Sequence, residues 1–160
     1  MKKKVRILFE ITLVAMLIIK IFCVDFAKVS GDSMEANFSN GDIVIVNKTQ
    51  NSYARNDVVL SYYRIGIFKK NIIKRVIGLP SEKIQIKNGK VYINDEVLND
   101  DINIYIEYAG IASDPIILND NEYFVLGDNR NESKDSRDEQ IGIISSNKII
   151  GVVEKIVHEE

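Results

Sequence analysis

A serine in a short glycine-containing segment is the first residue that could act as a nucleophile. Ser33 lies in the stretch SGDSMEAN, residues 30–37. A serine hydroxyl is a weak nucleophile unless a neighbouring base takes its proton. The only histidine is His158, in the charged stretch VHEE, and a lone histidine in such a place is usually a solvated surface residue. A Ser-His-Asp triad is therefore not expected, and another base has to be found.

A neutral lysine is the alternative base. The lysine pKa, ordinarily about 10.4, would have to fall toward neutrality, which requires burial or a neighbouring cation. In a strand with a side-chain period of two, Lys74 shares one face with Ile72 and Val76, whereas Arg75 points the other way. The same spacing is typical of a surface strand whose lysine extends into water, so spacing alone leaves both interpretations open.

A third polar segment, GDNRNESKDSRDEQIG, covers residues 127–142. It does not fit an EF-hand calcium loop, because Arg130 takes the third ligand position and Ser133 replaces the turn glycine. A solvated surface loop is the simpler interpretation. In the functional interpretation, a hydroxyl such as that of Ser133 orients the lysine amine, and an ion pair between Asp135 and Arg137 locks the loop.

Composition limits the remaining possibilities. The chain has 160 residues, 46% of them hydrophobic and 28% charged, which is typical of one globular domain with at most a short appendage. The net charge of -2, without a basic block interleaved with aromatic residues, argues against nucleic acid as a partner. Cys23 is the only cysteine, so an internal disulfide and a zinc site of the usual composition are excluded. We expect no metal and no cofactor.

The elements that must position these residues begin with an apolar segment. Residues 1–6 are basic, and residues 7–24 form an apolar run of about 27 Å as a helix, close to a hydrocarbon core of about 30 Å. We predict a single transmembrane helix over 7–24, with residues 1–6 cytoplasmic by the positive-inside bias and the rest of the chain extracytoplasmic. A cleaved signal peptide and an amphipathic surface helix are the alternatives. The first is disfavoured by the length of the run and the lack of a small-x-small site, the second by the lack of a consistently polar face.

The sequence after residue 29 has the pattern of a β protein. Short β-rich segments alternate with Gly, Asn and Asp, and no comparable helical periodicity appears. We predict strands over 42–47, 57–63, 71–77, 122–126 and 148–157, and a hairpin in KIQIKNGKVYINDEVL around Asn88-Gly89. The predicted fold is a mainly antiparallel β domain, residues 29–160, on one membrane helix.

Taken together, these segments resemble type I signal peptidase, also called leader peptidase, in its compact Gram-positive-like form. The resemblance rests on GDSM, GDIVIV, IIKRVIGLP and LGDNRNESKDSR, in that order behind an apolar anchor, and covers nearly the whole chain. It implies that Ser33 is the nucleophile and Lys74 the general base. It also implies that Ser133 assists the lysine, and that Asp135 and Arg137 hold the site together.

The activity implied by the resemblance is that of a membrane-bound serine endopeptidase. Such an enzyme removes signal peptides from exported preproteins by acyl transfer, with the Ser33 backbone N–H in the oxyanion hole. Its partners would be those signal peptides and the lipid bilayer, and it would act as a monomer. Substrate contacts are expected at Gly31, Asp32 and Met34.

Two departures from the family pattern keep other functions open. The segment Glu35-Ala36-Asn37-Phe38 stands where the family usually has one residue and then Pro-Thr-Leu, and Ser81-Glu82 stand where Gly-Asp is usual. Our hypothesis is that these changes alter the substrate groove and restrict the enzyme to a few exported proteins. A catalytically silent membrane-tethered β module is a second candidate. A self-cleaving repressor-type Ser-Lys protein is a third, disfavoured because an anchor stands where a helix-turn-helix would be needed.

Overall fold

The computed structural model describes residues 2–35, 37–102 and 104–157 of the chain, so His158 and Ala36 lie outside the described residues. The helix and the strands are, in chain order, α1 (Lys2–Phe22), β1 (Val24–Lys28), β2 (Ile43–Asn47), β3 (Val58–Ile65), β4 (Phe68–Gly78), β5 (Lys83–Lys87), β6 (Lys90–Ile93), β7 (Glu96–Val97), β8 (Ile116–Ile117), β9 (Glu122–Leu126), β10 (Ile144–Ser145) and β11 (Ile149–Val157). Short 3₁₀ turns lie at Gly110–Ser113 and Ser146–Lys148.

The strands form two antiparallel sheets. The larger has seven strands in the order β1-β2-β11-β3-β4-β9-β10, and the smaller has four in the order β7-β6-β5-β8. All paired neighbours run antiparallel, which confirms the predicted mainly antiparallel β fold. The predicted hairpin is confirmed too: Asn88 and Gly89 have φ of 51° and 72° between β5 and β6, the positive angles of a type I′ turn.

Apolar side chains pack on both faces of the larger sheet. On one face, Val76 packs in a cluster with Val125 and their neighbours, and on the other Ile73 packs in a cluster with Met34. A third cluster, around Ile84, joins the small sheet to the end of β4. Strand β4 therefore runs through the middle of the domain with both faces covered along its second half.

The helix at the start of the chain differs from the sequence prediction in its bounds. Helix α1 begins at Lys2, within the segment expected to precede the helix, and ends at Phe22. Val24, which we placed in the apolar helix, opens β1 instead and pairs with Asn47. The carbonyl of Ile21 accepts a hydrogen bond of 2.7 Å from the Lys48 amine, so the end of α1 is attached to the sheet.

The large apolar side chains of α1 are exposed, with Leu8 at 65% and Phe9 at 68%. Among the described residues, no helix combines the length and the apolar character that crossing a bilayer demands. The predicted single-pass anchor is therefore not confirmed.

Candidate active site

Ser33 lies in a turn that follows β1 and is fixed by the buried residues after it. The N–H of Glu35 donates to the carbonyl of Asp32 at 3.0 Å, and the N–H of Phe38 donates to that of Met34 at 3.0 Å. Met34 is 1% exposed and Phe38 9%, and both belong to one apolar cluster. Burial of these two side chains holds the turn against the sheet and leaves the half-buried Ser33 at its surface.

Lys74 meets Ser33 from the middle of β4. It pairs with Val59 of the neighbouring strand β3 and is only 3% exposed. Its amine lies 2.6 Å from the hydroxyl oxygen of Ser33 and donates a hydrogen bond to it. Of the two interpretations that spacing left open for Lys74, the structure shows the buried one.

The surroundings of Lys74 shift the equilibrium of its amine toward the neutral form. Burial is the largest influence and lowers the pKa of the Lys74 amine from 10.5 to about 8, although the charges of Asp135 and Asp128 act to raise it and Arg137 adds a smaller lowering. With a pKa of about 8, roughly one lysine in ten is neutral at pH 7. A neutral amine at this distance can accept the proton of the Ser33 hydroxyl.

An arginine binds each carboxylate that would keep Lys74 protonated. Arg137 donates from Nε and Nη2 to the two oxygens of Asp135, at 2.8 and 2.7 Å, and both residues are buried. Arg75 donates from Nε and Nη2 to the two oxygens of Asp128, at 2.7 and 2.5 Å. The predicted pair of Asp135 and Arg137 therefore forms.

Sequence reasoning missed the pair of Arg75 and Asp128, because alternation along β4 indicates only that Arg75 faces away from Lys74.

The loop after β9 contacts the segment around Ser33 through hydrogen bonds from Asn129. The N–H of Asn129 donates to the carbonyl of Ser33 at 3.1 Å, and the side-chain amide of Asn129 donates to the carbonyl of Asp32 at 3.2 Å. A Cβ atom on Gly127 would lie 2.2 Å from the Ser133 hydroxyl oxygen and 2.5 Å from the Ser33 carbonyl oxygen. Only glycine fits at position 127 without displacing these atoms. The roles of Gly127 and Asn129 were not predicted, since both depend on contacts distant in sequence.

Ser133 does not make the contact expected of it. Its hydroxyl oxygen is buried, yet it has no hydrogen-bond partner in the described part of the chain. The predicted hydrogen bond from Ser133 to the Lys74 amine is therefore not formed in this structure. Its carbonyl oxygen lies 3.4 Å from Nη2 of Arg137, which links the residue to the buried ion pair through its backbone instead.

An open groove of about 720 Å³ runs past Ser33 and Lys74. It is lined by β1, by residues 29–34, by residues 70–74 of β4, and by parts of β3 and of the loop after β9. Gly31, Asp32 and Met34, the residues predicted to contact substrate, all lie along it. Strand β1 is the edge strand of the larger sheet, with β2 as its partner, and its outer side offers backbone groups to an extended peptide.

Of the unusual segment after Met34, the described residues Glu35, Asn37 and Phe38 do not line this groove. The side-chain amide of Asn37 donates to Asp128 at 2.8 Å, and Phe38 packs in the core. In the second departure from the family pattern, Ser81-Glu82, the Glu82 carboxylate accepts a hydrogen bond from the N–H of Leu79 at 2.7 Å and forms an ion pair with Arg55. Asn37, Phe38 and Glu82 do not line the groove, so their positions do not support the hypothesis that these residues reshape the groove directly.

Comparison with known proteins gives consistent matches over most of the chain. The family model described as signal peptidase, peptidase S26, matches residues 2–158. Signal peptidase I P of Bacillus subtilis subsp. natto is 29% identical over 163 residues, covering 91% of this chain and 83% of that protein. Signal peptidase I V of Bacillus subtilis (strain 168) is 34% identical over 141 residues, covering 79% and 81%. A crystal structure of a signal peptidase I from Enterococcus faecalis V583 matches with a TM-score of 0.50 and 27% identity, covering 64% of this chain and 97% of that one.

Proposed function

We propose that this chain, which belongs to the signal peptidase family (peptidase S26) and is therefore a serine endopeptidase, removes signal peptides from exported preproteins. In this proposal Ser33 is the nucleophile and Lys74 is the base. The observation that carries the proposal is the 2.6 Å distance between the Lys74 amine and the Ser33 hydroxyl. Serine supplies the nucleophile, and a lysine with a lowered pKa supplies the base.

The reaction proceeds by acyl transfer. The Ser33 oxygen attacks the scissile carbonyl while Lys74 takes the hydroxyl proton, and the Ser33 backbone N–H stabilises the oxyanion that forms. Collapse of this intermediate breaks the peptide bond, and Lys74 returns the proton to the departing amine. Lys74 then takes a proton from a water molecule that attacks the ester, and the acid product leaves as Ser33 recovers its hydroxyl proton.

The groove suits an extended peptide with small side chains near the cleaved bond. Apolar side chains such as Leu60 and Ile72 line it beside Ser33 and Lys74. Main-chain pairing with the edge strand β1 would give affinity, and shallow apolar pockets would select the small residues that precede a signal-peptide cleavage site. The support for this substrate class is family membership together with the position of the groove.

We also propose that α1 tethers the enzyme to the membrane as a monomer, with its basic start on the cytoplasmic side and the β domain on the extracytoplasmic side. The exposed apolar surface of α1 and the basic residues Lys3, Lys4 and Arg6 support a lipid environment. The topology is tested by adding protease to intact spheroplasts. Digestion of the β domain is expected, and full protection would contradict the topology.

The catalytic proposal is tested with purified full-length protein in detergent and a preprotein substrate. Wild type is expected to release the mature protein, whereas Ser33→Ala and Lys74→Ala are not. Lys69→Ala is the matched control, because Lys69 lies on the same strand but is exposed and outside the groove. Cleavage by either site variant at the wild-type rate would contradict the dyad, and binding without cleavage by wild type would favour the silent module.

A further inference from the structure

The peptide unit that carries the proposed oxyanion donor is held by two hydrogen bonds at its carbonyl. This unit joins Asp32 to Ser33, so the Asp32 carbonyl and the Ser33 N–H lie in one plane. The carbonyl accepts from the N–H of Glu35 at 3.0 Å and from the side-chain amide of Asn129 at 3.2 Å. These two bonds restrict rotation of the plane, and they therefore also fix the direction of the Ser33 N–H.

The Ser33 N–H points away from the loop that carries Asn129. In a trans peptide unit the C=O and N–H bonds point in opposite directions, and here the carbonyl faces the Asn129 amide. Within the described part of the chain, the Ser33 N–H donates no hydrogen bond to another protein group. It is therefore free to donate to a substrate in the groove that Ser33 lines.

The backbone of Asn129 fixes the next peptide unit as well. Its N–H donates at 3.1 Å to the Ser33 carbonyl, which belongs to the unit joining Ser33 to Met34. Asn129 thus restrains the peptide planes on both sides of the Ser33 Cα atom, one through its side chain and one through its backbone. The orientations of these planes set φ and ψ of Ser33, and with them the position of its hydroxyl relative to its N–H.

Buried ion pairs support Asn129 from both sides. Asp128, the preceding residue, is 2% exposed and pairs with Arg75. Arg130, the following residue, is 2% exposed and donates from Nη2 to Asp100 at 2.8 Å. Such support from neighbouring side chains is what accurate positioning of a catalytic group requires.

We propose that Asn129 is a positioning residue for peptide-bond cleavage, whose side-chain amide orients the Ser33 N–H toward the oxyanion. This inference rests on the proposed function, in which that N–H stabilises the oxyanion. A donor lowers the barrier only if it points to where charge develops, and a misplacement of about 1 Å can cost about 10²-fold in rate. The bond from Asn129 also polarises the peptide unit, which strengthens the Ser33 N–H as a donor.

A purely structural role would have different consequences. If the amide only attached the loop to the turn around Ser33, its loss would lower stability and weaken the binding of substrate and transition state alike. If it orients the donor, its loss weakens the transition state alone, because the oxyanion does not exist in the bound substrate.

The test compares two asparagines of the same loop in the full-length protein in detergent. Asn129→Leu keeps the shape of the side chain and the backbone N–H but removes the amide donor. Asn131→Leu is the matched control, because the Asn131 side chain donates to the Tyr105 carbonyl at 3.0 Å and accepts from the N–H of Glu107 at 3.1 Å, away from Ser33. The measurements are kcat on a synthetic signal-peptide substrate and the free energy of unfolding.

Substrate affinity is measured separately from turnover. The Kd of the same peptide is determined for Ser33→Ala with and without Asn129→Leu. A peptide boronic acid serves as the probe of the transition state: boron bonds to the Ser33 oxygen, Lys74 takes the hydroxyl proton, no group leaves, and a boronate oxygen takes the place of the oxyanion.

The expected result is a loss confined to the transition state. Asn129→Leu should lower kcat about ten- to hundred-fold and raise the Kd of the boronic acid in step, while the Kd of the peptide changes by less than about two-fold. Asn131→Leu should cost at least as much stability, because it removes two hydrogen bonds, and should leave kcat within about two-fold of wild type.

The outcomes separate this inference from the proposed function. An unchanged kcat in Asn129→Leu, beside an active wild type and an inactive Ser33→Ala, would overturn the inference and leave the proposed function standing. An equal loss of kcat in Asn131→Leu, or a peptide Kd that rises as much as kcat falls, would assign Asn129 a structural role and overturn it as well. Cleavage by Ser33→Ala at the wild-type rate would contradict the proposed function and the inference together.

Discussion

The two halves of β4 place lysines in opposite environments. In the outer half Lys69 and Lys70 are exposed at the tip of the hairpin formed by β3 and β4, whereas in the inner half Lys74 is 3% exposed and touches Ser33. The strand is continuous and the residue type is the same, so only the packing differs. Burial lowers the pKa of Lys74 to about 8, which supports the base role proposed for it, while the outer lysines are exposed to solvent. The comparison indicates that burial, rather than the residue type, decides which lysine can do chemistry.

The largest expected effect comes from replacing the inner lysine by a cation that cannot act as a base. Lys74→Arg keeps the positive charge but holds its proton at any working pH, so cleavage should fall by about 10²- to 10⁴-fold. The measurement is kcat/KM on a synthetic signal-peptide substrate in detergent. The matched change in the outer half, Lys69→Arg, should leave the rate within two-fold, which is about 0.4 kcal/mol. Equal losses at both positions would remove the distinction between the two halves.

The next effect is on stability and follows from the lowered pKa of the inner lysine. Below pH 8, Lys74 is protonated in both the folded and the unfolded state, so the folded state carries the full cost of burying the charge. Between about pH 8 and 10.5, Lys74 loses its proton in the folded state but keeps it in the unfolded state. The free energy of unfolding therefore rises with pH over this window. Relative to Lys74→Met, the free energy of unfolding of wild type should therefore increase by about 3 kcal/mol over that window. Urea unfolding at pH 7 and pH 10 gives the comparison. A constant difference between the two proteins would contradict the lowered pKa.

A smaller effect is expected from the arginine beside Lys74. Arg75→Met leaves Asp128 buried with Asn37 as its one remaining side-chain donor among the described residues, which should cost about 2 kcal/mol of stability. The freed carboxylate charge should also raise the pKa of Lys74 and move the pH dependence of cleavage upward. Lys83→Met is the control, because the ion pair of Lys83 with Asp95 is exposed and should contribute less than about 1 kcal/mol. A shift in stability without a shift in the pH profile would limit Arg75 to a structural role.

The smallest effect belongs to the outer half. Ile67→Asn removes an apolar side chain that is 83% exposed, so the free energy of unfolding should change by less than about 0.5 kcal/mol. Chemical unfolding of the two proteins in detergent provides the measurement. A loss of several kcal/mol would mean that the hairpin tip packs against another part of the chain.

Sequence patterns predicted those features that depend on neighbouring residues. Short β-rich runs bounded by turn residues located β2 and the inner half of β4, and the Asn88-Gly89 turn fixed one hairpin, because composition and turn chemistry are local properties. The same reasoning left open whether Lys74 is buried, because a period of two places it on a face without saying what covers that face. It missed β1, because the apolar run of α1 continues into Val24 with no break in composition.

The parts of the site that were missed depend on contacts between distant segments. Nothing near Arg75 in the sequence indicates that it binds Asp128, and nothing near Asn129 indicates that its N–H reaches the Ser33 carbonyl. The hydrogen bond expected between Ser133 and Lys74 followed from the resemblance, and the structure instead leaves that hydroxyl buried without a partner among the described residues. Tertiary packing decides these contacts, and a period-two pattern carries no information about it.

The pH dependence of kcat/KM tests the central claim most directly. If neutral Lys74 is the base for Ser33, kcat/KM for a synthetic signal-peptide substrate should rise with pH through an apparent pKa of about 8 and level off above it. In Arg75→Met the same rise should appear at higher pH. A wild-type profile that is flat between pH 6 and 9 would contradict the account.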